Sequence, residues 1–298
     1  MASARELVEG VTNLPTLPAV YFRVRSVIER PDSFALDVAR EISCDPGLTT
    51  RLLRVANGAY YGMSRKVDSV MDAIAILGVN QIQHIVFATS ITMAFDGVAP
   101  PLMNMRRFWR TSLYRGIVSR CMAKQSRHSD AERAFVEGLV GDIGHLVMYQ
   151  EMPDMAEQAM QRSIESGLPV HGIERGMLGY DYAELGAELL AKWNLSREIE
   201  AALRYHTEPL LAAEAAEDAA ALHIATRFAK AAFMHEPHTT WVPEVDPRIW
   251  QAAGISAACI AGIKQEADRE LEALALALLP GFTAARRATN DSRAKSAA

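Results

Sequence analysis

An all-α fold is what this sequence predicts, and three observations carry the expectation. Apolar residues recur at three- and four-residue spacing along almost the whole chain, and no convincing period-two alternation interrupts them. Aromatic residues make up only 7%, while Ala, Leu, Met and Glu recur throughout, which favours helix over sheet. Capping residues precede several of the periodic runs. A chain of 298 residues, half of them hydrophobic and with a mean hydropathy of +0.01, can bury the core of one large or two modest domains.

The elements follow in order. After Leu14-Pro-Thr-Leu-Pro18, residues Val20, Val24, Val27 and Ile28 share one face of a helix that stops before Pro31. Asp32 or Ser33 is placed to cap the next, with Leu36, Ala39 and Ile42 inward. Asp45-Pro46 reads as an N-cap followed by proline at the first helical position, opening a helix with Leu48, Leu52, Leu53 and Ala56 inward. Ser69 and Asp72 resemble a capping box before Val70, Ile74 and Leu77, and Gly78 ends that run. A longer apolar helix is expected from Gln81 to Phe95, and another from Arg106 to Gln125 with Trp109, Leu113, Ile117 and Cys121 in phase. Ser129 and Glu132 suggest a further capping box ahead of Phe135, Leu139 and the glycine-spaced run Gly138-Leu-Val-Gly-Asp-Ile-Gly144. More helices are expected over 153–165, 182–193, 198–205 and 214–234, then a short one after Asp246-Pro247 and a last one over 256–279. From Thr283 to Ala298 the apolar stripe is gone, and a disordered tail is expected.

The composition also narrows the function. Lys plus Arg is 31 and Asp plus Glu is 36, a net charge of −5, so a general grip on nucleic acid is unlikely chemistry for this chain. Cys44, Cys121 and Cys259 form no CxxC pair, which points to reduced thiols in a cytoplasmic protein and not to a disulfide framework or thiolate metal site. No signal peptide is seen at the N-terminus, and no stretch approaches the roughly 18 apolar residues of a membrane span.

Catalytic motifs are missing. There is no G-x-S-x-G, GxxxxGK[ST] or GxGxxG, and Gly58-Ala-Tyr-Tyr-Gly62 reads as a turn. Among the eight histidines, His145 stands three residues after Asp142, while His206 and His223 lie on later helices. None is paired at metal-ligand spacing with a second ligand, so no metal and no other cofactor is expected.

Several segments together resemble an HDOD domain. They are Leu14-Pro-Thr-Leu-Pro18, the run Asp45-Pro-Gly-Leu-Thr-Thr-Arg-Leu-Leu-Arg-Val-Ala-Asn57, Tyr61-Gly62 and Ser69 to Gly78. Phe108-Trp109, Ala134 to Gly144, Glu174, Gly186-Ala187, Trp193 and Tyr205-His206 continue the pattern in order. The resemblance implies a lead at 1–13, the HDOD domain at 14–210, a helical extension at 211–282 and the tail at 283–298. It also implies an HD-like helical bundle with an additional N-terminal helical lobe.

HDOD domains are similar to the HD-superfamily metal-dependent phosphohydrolases, whose metals are held by histidines and aspartates. Carried onto this chain by resemblance, the first His position falls near Thr111, and the His-Asp doublet becomes Gly141-Asp142. The next His becomes Tyr182, His206 is kept with Thr207 beside it, and the last Asp falls near Thr226. Only Asp142 and His206 survive, too few to hold a metal and acidify its water. They are expected as hydrogen-bonded core or cleft residues, paired with each other.

The resemblance therefore implies a non-catalytic bacterial output or adaptor module, alongside cyclic-di-GMP or two-component pathways. It would bind a protein partner, in a groove lined near Asn57, Tyr61, Asp142 and His145. Asn57 and Tyr61 serve a helix end and a turn equally well. No receiver or kinase segment is seen, so regulation is expected in trans. Two alternatives stay open: a phosphohydrolase with a site rearranged around Asp142, His145, His206 and His223, and a cyclic-dinucleotide sensor using Arg110, Arg115 and Arg204.

Overall fold

The computed structural model describes residues 2–11, 14–58, 65–95, 98, 100, 103–126, 130–233 and 244–279. Among the described residues there are sixteen α-helices and no strand, so the fold is all-α. The chain divides into two compact units. Leu17–Asp96 joins Arg269–Ala298 in one, and Met1–Thr16 joins Gly97–Asp268 in the other. The expected tail at 283–298, Tyr61 and Ser129 lie outside the described residues.

The smaller unit contains α2 (Ala19–Ile28), α3 (Ala35–Ser43), α4 (Pro46–Ala56), α5 (Val70–Leu77) and α6 (Val79–Ala94). Its core collects the apolar stripes of these helices: Val20, Val24, Ile42, Leu48, Leu52, Ile74, Ile82 and Ile91 are all buried. Tyr21 meets Phe87 edge-on at 5.6 Å. The expected caps hold at two helices. Asp45 accepts the Leu48 amide at 2.8 Å, and Ser69 accepts that of Asp72 at 3.0 Å. Neither Asp32 nor Ser33 caps α3. That place falls to Phe34, whose amide is held by the Asp37 carboxylate at 3.0 Å, while the Ser33 hydroxyl closes the preceding turn on the Arg30 carbonyl. The end of the last helix, α16 (Ile260–Leu278), joins this unit, where Arg54 and Thr92 donate to the carbonyls of Leu276 and Leu278.

The larger unit begins with α1 (Ala4–Gly10), capped by Ser3 and tied to α12 (Tyr182–Lys192) by a 2.7 Å bond from the Lys192 amine to the Val8 carbonyl. It continues with α7 (Met105–Ala123), α8 (Ala131–Val140), α9 (Ile143–Glu151), α10 (Pro153–Ser166) and α11 (Val170–Leu178). After α12 come α13 (Arg197–Tyr205), α14 (Ala216–Phe233), α15 (Pro247–Ala252) and the first half of α16. Asp130 caps α8, accepting from the Glu132 and Arg133 amides. Helix α11 is unforeseen because its buried face is Glu174 and Leu178, so a carboxylate stands where periodicity looks for an apolar residue.

Two helix crossings explain the glycine-spaced run. A Cβ on Gly138 would stand 2.5 Å from the Gly116 Cα, so α8 and α7 touch backbone to backbone. A Cβ on Gly144 would fall 1.9 Å from the Tyr182 carbonyl oxygen, which sets the approach of α9 to the start of α12. Gly144→Ala is therefore expected to lower unfolding free energy by about 3 kcal/mol, since backbone must move to admit the methyl. Gly172→Ala, on exposed α11 with nothing within 4 Å of the new Cβ, should instead stabilise by up to about 1 kcal/mol. Urea denaturation of the two variants beside the parent chain checks both signs.

Candidate functional site

The candidate site is built from α7, the α8–α9 junction and the starts or faces of α12, α13 and α14. Helix α7 brings Thr111, Ser112 and Arg115; Asp142 is the N-cap residue of α9; Tyr182 opens α12; His206 ends α13; Thr226 and Lys230 sit one turn apart on α14. The Arg115 side chain has no exposure and binds Asp142 at 2.5 Å through Nη1. Its Nε donates to the Gly138 carbonyl at 2.6 Å, and Nη2 reaches the Ser112 hydroxyl at 3.4 Å. A Cβ at Gly141 would lie 2.7 Å from Nε and 3.1 Å from the guanidinium carbon. The guanidinium thus occupies space that any side chain at 141 would contest. Burial pushes the Asp142 carboxyl up, but Arg115, Lys230 and His145 outweigh it and hold the group well below the usual carboxylate range. Its second oxygen, Oδ1, is buried without a hydrogen-bond partner.

Beside this pair runs a chain of rings. His145 stacks on Tyr182 at 3.9 Å and on Tyr149 at 5.3 Å, and its Nε2 donates to Glu174 at 3.1 Å. The other Glu174 oxygen receives the Tyr182 amide at 3.0 Å, so one buried carboxylate positions both rings. His206 Nδ1 donates to the Leu203 carbonyl at 2.6 Å, which leaves Nε2 to accept the Tyr182 hydroxyl at 3.1 Å. Burial drives the His206 imidazole down to about 3 and holds the Tyr182 phenol well above its ordinary value. Thr207 donates to the fully buried Asp181 at 3.0 Å, and Arg175 bridges Asp181 and Glu208.

The HD relationship implies a metal, and the donor set can be tested for it. The surviving aspartate is bound to a guanidinium, both His206 nitrogens are engaged, and His145 is committed to Glu174. Thr111, Gly141 and Thr226 bring no imidazole or carboxylate, and among the described residues no group of three or more His, Cys, Asp or Glu side chains converges. These residues do not fit a divalent ion.

Several expectations need correction. Asp142 and His206 do not pair with each other; Arg115 takes the first and Tyr182 the second. Asp142, His145, His206 and His223 do not form a rearranged metal cluster; His223 donates instead to the His206 carbonyl at 2.8 Å. Arg115 and Arg204 are not free for a dinucleotide, since Arg204 is held by Glu188 and Glu200. Arg110 is half-buried. Asn57 is in the smaller unit and serves its own loop, bonding the Leu53 carbonyl and both backbone groups of Val67 at 2.8 Å. The structural use of Asn57 accounts for all of its bonds shown here.

Comparison with known proteins gives the class. An HDOD domain model matches residues 14–209, and the chain belongs to the HDOD domain family. A Shewanella amazonensis structure provisionally named a phosphohydrolase shares 25% identity with a TM-score of 0.73, covering 93% of this chain and 97% of its own. A Geobacter sulfurreducens HDOD domain protein of unknown function shares 23% with the same TM-score and coverage. An uncharacterized Treponema pallidum protein is 24% identical over 206 residues, 68% of this chain, and the match spans 39% of that protein's length. Among the described residues no helix is long and apolar enough to cross a membrane.

The depressed His206 value has a testable consequence. Between pH 6.5 and about 3 the unfolded chain binds a proton at this imidazole that the folded chain refuses, so its contribution is full above 6.5 and lost as pH falls. Asp142 acts in the same direction lower down, its contribution present above the ordinary value of 3.8 and lost as pH drops below it. Chemical denaturation at pH 7 and pH 5 should show His206→Gln losing about 2 kcal/mol less than the parent chain between the two. Equal losses would contradict the buried neutral imidazole.

Proposed function

We propose that this chain is a non-catalytic signal-transduction module that acts in the cytoplasm by binding a protein partner, in a cyclic-di-GMP or two-component pathway. The observation that carries the reading is the buried Arg115–Asp142 pair: the one retained carboxylate of the HD doublet is neutralised by a side chain of the chain itself. A metal would have to displace a guanidinium that also holds the Gly138 carbonyl. It would find no imidazole in place to replace the lost ligands. The phosphohydrolase name of the Shewanella amazonensis relative gives the ancestry of the scaffold. A Marinobacter aquaeolei structure provisionally named a signal transduction protein shares the fold at 18% identity and a TM-score of 0.69.

The experiment pairs a turnover assay with capture. Purified full-length chain with bis(p-nitrophenyl) phosphate and Mn²⁺ is expected to release nitrophenol at the buffer rate. Tagged chain at native abundance is expected to retain one protein in stoichiometric amount through purification. Turnover that scales with protein and disappears in Asp142→Asn would overturn the non-catalytic reading.

A further inference from the structure

The side chains around the ring chain leave one set of charges unmatched. Lys230 is exposed, stands one turn beyond Thr226 on α14, and places its amine 5.9 Å from the Tyr182 ring centre. Its charge is felt at Asp142, at His171 on α11 and at His223 on α14, and the charge of His171 is felt at His223. Arg227 on α14 also acts on His223, and Arg175 on His171. The acids facing this group are Asp181 and Glu208, and Arg175 is ion-paired with both. Among the described residues neither Arg227 nor Lys230 is ion-paired with a carboxylate; Arg227 reaches only the Glu244 carbonyl, at 3.4 Å. Two half-buried imidazoles and two exposed cations therefore share one electrostatic neighbourhood, with the one nearby acid pair already neutralised.

Asp142 adds an independent observation. Its Oδ1 is buried and accepts nothing, although a buried carboxylate oxygen left without a donor is costly. Cations that lack an anion and an acceptor that lacks a donor, linked through Lys230, call for one molecule bearing both complements. A phosphate offers three oxygens to several donors at once, and a nucleoside offers hydroxyl and amino donors. We propose that this neighbourhood binds a nucleotide, its phosphate on Lys230, Arg227, His171 and His223, and a nucleoside donor at Asp142 Oδ1. That the nucleotide stays intact rests on the non-catalytic reading above; that it binds does not.

Calorimetric titration of the full chain at low salt tests it, with guanosine 5′-monophosphate, adenosine 5′-monophosphate and inorganic phosphate as probes. One nucleotide per chain is expected, bound at least about tenfold more tightly than phosphate because only the nucleotide supplies the donor. Arg227→Ala/Lys230→Ala changes two exposed positions, should leave the circular dichroism spectrum unaltered, and should weaken nucleotide binding about tenfold or more. The proposal is overturned by no binding of either nucleotide at millimolar concentration, by phosphate binding as tightly as nucleotide, or by unchanged affinity in the double variant. Phosphate release in the same sample, followed by ³¹P resonance, would overturn the non-catalytic reading while leaving the binding proposal standing.

Discussion

The buried contact of Arg115 with Asp142 is the constraint on which the larger unit turns. Taking a guanidinium fully out of water is favourable only when its donors are matched, and here three backbone or side-chain acceptors surround it. Those acceptors lie on α7, at the C-terminal end of α8 and at the N-cap of α9, so one side chain ties three helix segments together. The Gly138 carbonyl it receives is one of the four that a helix end leaves without an intrahelical partner. The room for it comes from Gly141, and the nearness of α7 to α8 that brings it into range comes from the Gly116–Gly138 crossing.

The same contact decides what the site can do. In a metal-dependent hydrolase the carboxylate of this doublet would face a divalent cation; here the positive charge is covalently part of the protein. The neighbouring groups are set accordingly. His206 is kept neutral by burial and bonded at both nitrogens, and Glu174 holds His145 and the Tyr182 amide together. The result is a packed polar interior whose hydrogen bonds are mostly internal, with Asp142 Oδ1 and the Thr226 hydroxyl as buried exceptions. Such an interior stabilises a shape that a partner can recognise, and shape is the property a binding module requires.

Much of the fold was legible because it rests on local signals. Asp45-Pro46, Ser69 and Asp246-Pro247 open helices where their caps imply, and the 3.6-residue stripes of α4, α6 and α7 are the buried faces. Where a charge takes an apolar position the signal fails. Helix α11 turns Glu174 inward, and Arg115 and Arg120 lie buried on α7 in the manner of core residues. The vestigial positions followed from the family resemblance, but their partners did not. Asp142 was expected to face His206, and nothing in the local sequence says that an arginine 27 residues upstream reaches it first. The missing histidine at Gly141 was the one available hint, since a glycine beside an aspartate leaves space for something large and cationic. Lys230 carried no such hint, because its place depends on how α14 meets the start of α12.

Whether Asp142 is available to a metal is measured most directly by titrating chelator-treated protein with Mn²⁺ and following the paramagnetic resonance of the free ion. With Arg115 in possession of the carboxylate, the free-ion signal should equal that of buffer at every protein concentration. Loss of one equivalent of signal per chain, restored in Asp142→Asn, would contradict it.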